Sequence, residues 1–175
     1  MILNGISEAV KIKDELGGAL SLAFGCFDIL HYGHIRFLKR AQESSAAPLA
    51  VGILDDELVR AMKGASRPVN EAQYRLEVID SLKYVDYAFI VGEKGDIEKY
   101  RAAYAPEERE LKLWEKCIYC IDILRPAQFF YSTDFYLTPA IKKFFKDVSL
   151  NAVAVEYTEG ISTTALIDLS RDGNI

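Results

Sequence analysis

The sequence predicts an α/β fold in which a Rossmann-like parallel sheet is flanked by helices. Five short apolar runs alternate along the chain with segments whose apolar residues recur at helical spacing. Each run is apolar at successive positions, so both faces of every strand are expected to be buried, as in a parallel sheet covered on both sides. Ligands of such sheets bind beyond the carboxyl ends of the strands, and functional residues are expected there.

The elements of the first half are bounded by start and stop signals in the sequence. A short helix is expected at 5–16 and a buried strand at 19–24, which Gly25 ends. An amphipathic helix is expected at 33–43, followed by a second apolar strand at 49–54.

The second half continues the alternation. Asp55 begins a short helix that ends at Lys63 and Gly64, and Asn70 is the predicted N-cap of a helix that reaches Leu82. The later elements are a strand at 86–91, helices at 96–104 and 107–124 interrupted near Pro106, a strand at 127–131, a helix at 139–145, a strand at 152–155 and a last helix from Ser162.

Length and composition indicate a globular protein. At 175 residues, the chain is expected to form one domain over 1–175. Half of its residues are hydrophobic and 27% are charged, which is ordinary for a soluble protein. It has no apolar run of 18 residues and no basic-then-apolar leader, so a cytoplasmic protein without membrane contact is expected.

Charge and cysteine content narrow the expected partners. The net charge of −5 argues against a nucleic-acid-binding protein, which would present a basic face, but it leaves a nucleotide site open. Cys117 and Cys120 have the spacing of half a zinc site. No second ligand pair accompanies them, so both thiols are expected to pack into the core and no resident metal is expected.

Both histidines of the chain fall in one tetrapeptide, between the first strand and the second predicted helix. At a helix N-terminus, His31 and His34 add their donors to free backbone N–H groups and to the positive end of the helix dipole. Such a site suits a polyphosphate and can stabilise the charge that develops when the α-phosphate of a nucleotide is attacked. An isolated pair at this spacing is more often structural, but Gly25 and Gly33 allow a sharp turn and a close approach of ligand to backbone. Asp28 adds a carboxylate that orients an imidazole, approaches a metal or shapes the turn.

The residues around this pair resemble the signature GxFDxxHxGHxxxLxxA of the cytidylyltransferase-like nucleotidyltransferases. The matching residues stand in register and are Gly25, Phe27, Asp28, His31, Gly33, His34, Leu38 and Ala41. The resemblance implies the HxGH nucleotidyltransferase fold and a nucleotide site that also includes Cys26. It specifies neither the nucleotide nor the acceptor.

A run of hydroxyl side chains follows the last predicted strand. Ser162, Thr163 and Thr164, preceded by Ile161, stand where the last helix begins. Hydroxyls and free N–H groups there either hold phosphate oxygens or serve as a simple N-cap. The run resembles the motif RTEGISTT of glycerol-phosphate-type cytidylyltransferases, with Tyr157 in place of the arginine, so one cation of that triphosphate site is missing.

Two positively charged side chains that could bind phosphate lie in the segment at 63–70 and in the helix that follows it. Lys63 can reach a phosphate as a point charge, and Arg75 can bind one with two hydrogen bonds. The alternatives are a solvated loop lysine and a surface arginine. The segment resembles the KGxxRPVN…R pattern in the adenylyltransferase half of the bifunctional ADP-heptose synthases, which implies Lys63 on the triphosphate and Arg75 near it.

The acceptor end of the site is less sharply marked. Relatives often carry Gly-Asp-Asp/Tyr after the fourth strand; here Asp134 matches the acidic residue, and Ser132 replaces the glycine. The stretch at 100–125 is longer than compact members need. Its two open roles are reshaping the acceptor pocket and supporting a homodimer.

Together these features predict a nucleotidyltransferase. It is expected to transfer NMP from a nucleoside triphosphate, with ATP favoured, to a phosphorylated small molecule such as a sugar phosphate, releasing pyrophosphate. His31, His34, Lys63 and Arg75 are the expected catalytic residues, and Mg²⁺ is expected to arrive with the triphosphate. The alternatives are a cytidylyltransferase that uses CTP and a glycerol-phosphate-like alcohol phosphate, and a catalytically inactive nucleotide-binding regulatory domain.

Overall fold

A five-stranded parallel sheet organises the part of the chain that the structure, a computed structural model, describes, residues 1–171. The strands are β1 (Ser21–Gly25), β2 (Leu49–Leu54), β3 (Tyr87–Val91), β4 (Gln128–Ser132) and β5 (Ala152–Val155). Their order is β3-β2-β1-β4-β5. The chain runs from β1 to β3 towards one edge of the sheet, then returns to form β4 beside β1 and β5 at the other edge, so the strand order reverses between the neighbouring strands β1 and β4. Ligands of Rossmann-like sheets bind at such a point. The predicted fold class is confirmed.

Helices cover both faces of the sheet. They are α1 (Ile6–Glu15), α2 (Tyr32–Ser44), α3 (Asp56–Lys63), α4 (Ala72–Asp80), α5 (Ile97–Tyr104), α6 (Leu111–Leu113), α7 (Tyr119–Leu124), α8 (Pro139–Asp147) and α9 (Thr163–Arg171). A 3₁₀ turn at Glu108–Glu110 precedes α6, and a π-helical turn at Trp114–Ile118 joins α6 to α7. We call 108–124 the connecting segment. The helix predicted at 107–124 is therefore helical throughout most of its length but changes its winding three times.

Successive residues of the strands point to opposite faces, and each face has its own core. Leu22 and Phe129 belong to one cluster, with side chains from α1, the connecting segment and α8. Ala23 and Phe130 belong to the other, with side chains from α2 and α4. We call these the connecting-segment face and the α2 face. Among the described residues, no helix is long and apolar enough to cross a membrane.

Of the two helix N-caps predicted from the sequence, the one at Asp55 is confirmed and the one at Asn70 is wrong. The carboxylate of Asp55 caps α3 by accepting the N–H of Leu58 at 2.9 Å, as predicted. Helix α4 begins at Ala72 rather than directly after Asn70; its N-cap residue Glu71 forms no side-chain cap bond, and the N–H of Ala72 donates to the Asp56 carboxylate at 2.9 Å. The Asn70 side chain instead donates from Nδ2 to the carbonyl of Asp28 at 2.7 Å, so a contact 42 residues away replaces the local cap.

The two cysteines at 117 and 120 pack into the core, as predicted. Cys117 and Cys120 are free thiols, both almost fully buried on the connecting-segment face. Burial raises the pKa of both thiols, and for Cys120 it raises the pKa to about 12.

Candidate active site

A cavity of about 290 Å³ lies at the carboxyl ends of β1 and β4, where the strand order reverses. It brings together most of the residues that the sequence marked. Those that line it are Gly25, Cys26, Phe27, His31, Gly33, His34, Lys63, Asp134, Ser162, Thr163 and Thr164. The three separate motifs therefore meet in one place, as parallel topology requires.

His31 begins helix α2 and has a defined tautomer. It is the N-cap residue, and its Nδ1 accepts the backbone N–H of Gly33 at 3.1 Å. Because Nδ1 is an acceptor, the proton of the neutral ring resides on Nε2, which is then a hydrogen-bond donor. A Cβ on Gly33 would lie 3.0 Å from the His31 ring, so the glycine leaves room for this arrangement.

His34 stacks on His31 one turn into the helix. The ring centroids are 3.8 Å apart with an interplanar angle of 22°, and the edge of Phe27 packs against His34 at 5.2 Å. Burial and the neighbouring imidazole lower the pKa of His34 to about 4, against smaller opposing effects of the Ile29 carbonyl and the Asp28 carboxylate. Burial also lowers the pKa of His31. Both rings are therefore neutral at physiological pH.

The buried Nδ1 of His34 has no partner of hydrogen-bond geometry among the described residues. A buried polar atom without a partner is uncommon and costs stability, so its presence at a cavity marks a functional position. The pair thus offers neutral imidazole groups at the start of a helix, where a phosphate group would find donors without a full counter-charge.

The turn between β1 and α2 is shaped by Phe27. Its φ is 47°, in the left-handed region, and its ring covers Gly25 so closely that a Cβ there would lie 2.5 Å from the ring. The tight fit directs the chain away from β1 and lets the next residues reach the start of α2.

Asp28 does not face the cavity. Its buried carboxylate accepts hydrogen bonds from the Arg67 Nε at 2.6 Å and from the backbone N–H groups of Val69 and Asn70 at 2.8 Å each. Burial alone would raise the pKa of Asp28, but the bonds from Asn70, Val69 and Arg67 outweigh it and hold the pKa below the usual value. Of the three roles open to Asp28, the structure supports shaping the fold, since it anchors the loop at 67–70.

Arg67 lines the cavity, although it is not among the site residues predicted from the sequence. Its side chain is 11% exposed, and Asp28 binds it through Nε. Its terminal nitrogens make no hydrogen bond to the described residues, so they can meet an anion in the cavity. The signal in the sequence that points to it is the arginine of the KGxxRPVN-like run at 63–70.

For Arg75 the structure corrects the expectation. Its side chain is 1% exposed and does not line the cavity. Nε donates to the carbonyl of Asn70 at 2.8 Å, Nη1 to the carbonyl of Cys26 at 2.5 Å and Nη2 to Asp56 at 2.7 Å. These bonds tie α4 to the turn that precedes the histidines, so Arg75 supports the site from behind rather than binding phosphate.

The other marked residues reach the cavity to different degrees. Lys63 ends α3, is exposed on the cavity wall and forms no ion pair with a described residue. The Ser162 hydroxyl accepts the N–H of Ala165 at 3.1 Å, so it serves as the N-cap of α9 while also lining the cavity. Ile161 is not part of the lining but lies beside Gly33. Asp134 is exposed at the cavity rim.

The connecting segment contributes a wall of the same cavity. Leu113, Cys117, Ile118 and Ile121 line it. Of the two roles left open for the 100–125 stretch, reshaping the pocket is therefore the one that the structure displays.

The amino-acid sequence was compared with those of known protein families. A sequence profile described as cytidylyltransferase-like matches residues 22–169. The chain belongs to the cytidylyltransferase-like family. The match includes all three motifs that line the cavity, and membership of this family agrees with the nucleotidyltransferase predicted from the sequence.

Several relatives carry the name bifunctional protein HldE, and two of them illustrate the similarity. The protein from Campylobacter concisus is 45% identical over 92 residues, which cover 52% of this chain and 19% of that protein. The protein from Campylobacter curvus is 32% identical over 151 residues, covering 86% of this chain and 27% of that protein. The chain thus spans less than a third of the length of these relatives. The predicted resemblance to the ADP-heptose synthase group is confirmed.

A solved structure supports the fold alone. The crystal structure of the lipopolysaccharide core biosynthesis protein from Thermoplasma volcanium matches with a TM-score of 0.56 at 24% identity, covering 80% of this chain and 96% of that chain.

Proposed function

We propose that this nucleotidyltransferase transfers AMP from ATP to the phosphate of a sugar phosphate and releases pyrophosphate. The observation that carries the proposal is the stacked, neutral pair of His31 and His34, which faces one cavity together with Lys63 and the start of α9. The choice of ATP and a sugar phosphate follows the likeness to the HldE proteins. We further propose that 1–175 form one nucleotidyltransferase unit.

The chemistry is a direct displacement at the α-phosphorus. An oxygen of the acceptor phosphate forms the new P–O bond, while the bond to the oxygen bridging the α- and β-phosphates breaks and pyrophosphate departs with that electron pair. No side chain forms a covalent intermediate, so the protein contributes positioning and charge stabilisation. The Nε2–H of His31 donates to the phosphate oxygens on which negative charge grows, with His34 stacked beside it.

The triphosphate is held between the starts of α2 and α9. Free N–H groups of the first turn of α9, the hydroxyls of Thr163 and Thr164, and the Nε2–H of His31 at the start of α2 supply donors. Lys63 and the outer nitrogens of Arg67 supply positive charge on the side of α3. The acidic Asp134 at the rim is the candidate contact to acceptor hydroxyls.

The residues present fit Mg²⁺ carried by the triphosphate rather than a metal held by the protein. Within the described part of the chain, no group of three or more His, Cys, Asp or Glu side chains could hold a metal ion. Asp134 and Glu156 are the acidic residues of the cavity lining, and the Asp28 carboxylate is occupied by the 67–70 loop. Bound Mg²⁺ would neutralise phosphate charge with phosphate oxygens and water as most of its ligands.

The proposal is tested in two steps. A thermal-shift screen of ATP, CTP, GTP and UTP with Mg²⁺ identifies the triphosphate, because a bound ligand raises the melting temperature. Pyrophosphate release is then measured with sugar phosphates and with glycerol 3-phosphate. ATP-dependent release with a sugar phosphate supports the proposal. Preferential release with CTP and glycerol 3-phosphate would instead identify the cytidylyltransferase alternative, and stabilisation without any release would identify a regulatory domain.

A further inference from the structure

The cavity extends beyond the phosphate-binding groups into an apolar recess on the connecting-segment face. We call this recess the apolar arm, and its walls are Leu113, Ile118, Ile121, Phe129, Ile141 and Phe145. All except Leu113 are at most 8% exposed, so the walls of the arm are almost fully buried. The connecting segment, α8 and β4 each supply part of it.

The walls of the arm have little capacity for hydrogen bonding. The named side chains contain only carbon beyond the backbone, the connecting segment adds the thiol of Cys117, and Tyr131, whose ring stacks on Phe129, adds one hydroxyl to the cavity lining on this side. The backbone is also engaged, since Ile121, Ile141 and Phe145 lie within helices, and Phe129 is paired with strands on both sides. A hydroxyl or amide placed there would lose its bonds to water without replacement.

A change of helical winding builds one wall. The π-helical turn at Trp114–Ile118 lies where the segment meets the cavity, and both Cys117 and Ile118 at its end line the arm. Single π-helical turns within helices are rare and frequent at functional sites.

The arm and the phosphate-binding groups lie on opposite sides of the sheet edge. The histidines precede the part of α2 that packs on the α2 face, whereas every named wall residue packs on the connecting-segment face. Cys26 lies on the rim of β1 between them and lines the same continuous cavity. A molecule with its phosphate at the histidines can therefore extend past Cys26 into the arm.

We propose that the apolar arm receives a slim apolar group of the phosphorylated acceptor, such as the deoxygenated or alkyl end of a sugar or alcohol phosphate. The inference rests on the proposed function and narrows its acceptor class. A fully hydroxylated acceptor would bury unpaired hydroxyls in the arm. A nucleotide base is a poorer occupant, because the polar edge of the ring would find neither side-chain nor backbone partners.

Acceptors that differ by hydroxyl groups test the proposal. The pairs are D-galactose 1-phosphate against its 6-deoxy counterpart D-fucose 1-phosphate, and glycerol 3-phosphate against n-butyl phosphate. Each is assayed for pyrophosphate release with the triphosphate that binds, and for thermal stabilisation in the presence of a non-hydrolysable analogue of that triphosphate. The less hydroxylated member of at least one pair is expected to be preferred by about tenfold or more in kcat/KM, the scale on which an apolar pocket discriminates.

Two matched variants locate the effect. Cys117→Ser places a hydroxyl in the arm, and Cys120→Ser makes the same change at a buried position of the same segment outside the cavity lining. Cys117→Ser is expected to lower the preference at least threefold, and Cys120→Ser is expected to leave it unchanged. If Cys117→Ser is less stable than wild type, its preference is compared with that of Cys120→Ser at assay temperatures that lie equally far below the melting temperature of each variant.

The outcomes separate this inference from the proposed function. Turnover without a preference, or a preference for the more hydroxylated members, overturns the inference alone. Selective stabilisation by n-butyl phosphate or D-fucose 1-phosphate without turnover supports the arm and overturns the proposed function. If Cys117→Ser changes the KM of the triphosphate and leaves the acceptor preference unchanged, the arm binds the base of the nucleotide and the inference is overturned. The inference is also overturned if none of the four acceptors raises the melting temperature.

Discussion

Asp28 binds Arg67 through a buried hydrogen bond of 2.6 Å between Oδ2 and Nε, and this bond aims the guanidinium at the cavity. The carboxylate is thus a positioning group for a cation on a loop 39 residues away. Because Asp28 also holds two backbone N–H groups of that loop, one side chain sets both the loop and its charge.

Asp28→Asn is expected to lower the free energy of unfolding by about 3 kcal/mol, since it leaves the largely buried guanidinium of Arg67 without its counter-charge. It should also raise the KM of the triphosphate about tenfold through misplacement of Arg67, while the KM of the acceptor changes little. Urea unfolding and steady-state kinetics measure the two effects. Asp14→Asn, at an exposed position of α1, is the control and should change neither. An unchanged KM of the triphosphate would remove Arg67 from the phosphate site.

His34→Ala is expected to lower kcat by about a hundredfold or more, because it removes the ring that stacks on His31 and holds its Nε2–H towards the developing charge, and the loss of one such donor costs about 3 kcal/mol of barrier. Circular dichroism should show the fold retained. Tyr32→Ala is the matched control, since Tyr32 lies on the same helix, is 61% exposed and is not part of the cavity lining. Activity of His34→Ala within twofold of wild type would exclude the proposed role.

The stability of the protein should depend on pH because of the buried imidazoles. An unfolded histidine takes up a proton near the ordinary pKa of 6.5, whereas folded His34 does so only near about 4. The unfolded chain therefore binds more protons between these values. The stabilisation is complete above 6.5 and is lost as the pH falls towards 4, by up to about 3 kcal/mol.

Urea unfolding at several pH values measures this dependence. His34→Gln should flatten the curve between pH 6.5 and 4, whereas His31→Gln should retain the contribution of His34. The lowered pKa of Asp28 acts at lower pH, since its contribution is lost only below its ordinary value of 3.8. A curve for His34→Gln that parallels wild type would show that the imidazole is not buried in solution.

Lys63→Ala is expected to raise the KM of the triphosphate more than that of the acceptor, because the lysine is exposed on the wall that faces the phosphates and makes no ion pair with a described residue. Arg60→Ala is the control, since Arg60 is an exposed cation of the same helix outside the cavity lining. A change confined to the KM of the acceptor would assign this wall to the acceptor.

The fold could be predicted because its signals are local and redundant. Apolar runs bury both faces of the strands, and Asp55 caps α3 as its position suggested. The positions of the histidines and hydroxyls at the cavity follow from parallel topology alone. The predictions for Arg75 and Asn70 are wrong for one reason. A long or branched polar side chain can hydrogen-bond either to a nearby group or ligand or to a backbone carbonyl far away in the sequence, as both of these do. Sequence spacing does not distinguish the two.

The apolar arm could not be predicted for a related reason. The 107–124 stretch was predicted as an ordinary helix, and helical periodicity reports that a face is buried without reporting what covers it. The π-helical turn that presents Cys117 and Ile118 to the cavity has no simple sequence signal. Arg67 escaped notice because its role depends on a partner 39 residues earlier in the chain.

Tyr157 tests which triphosphate the site is built for. It stands where the glycerol-phosphate-type motif has an arginine, and it lines the cavity. Its hydroxyl donates to the carbonyl of Ile161 at 3.3 Å, and its backbone N–H donates to the hydroxyl of Thr133 at 2.9 Å. The side chain therefore supports the loop before α9 with a long, neutral hydrogen bond and supplies no positive charge to a phosphate.

Tyr157→Phe is expected to cost less than about 1 kcal/mol in kcat/KM, because only a neutral and exposed hydrogen bond is lost. Wild type and variant should both prefer ATP to CTP. Tyr157→Arg restores the missing cation and should lower the KM of the triphosphate, since charged hydrogen bonds are about twice as strong as neutral ones. Steady-state kinetics with ATP and with CTP on wild type, Tyr157→Phe and Tyr157→Arg measure kcat/KM and the KM of each triphosphate. A preference of the wild type for CTP would place the protein with the cytidylyltransferases that use alcohol phosphates. A hundredfold loss of kcat/KM in Tyr157→Phe would place it there too, because Tyr157 would then bind the triphosphate as their arginine does.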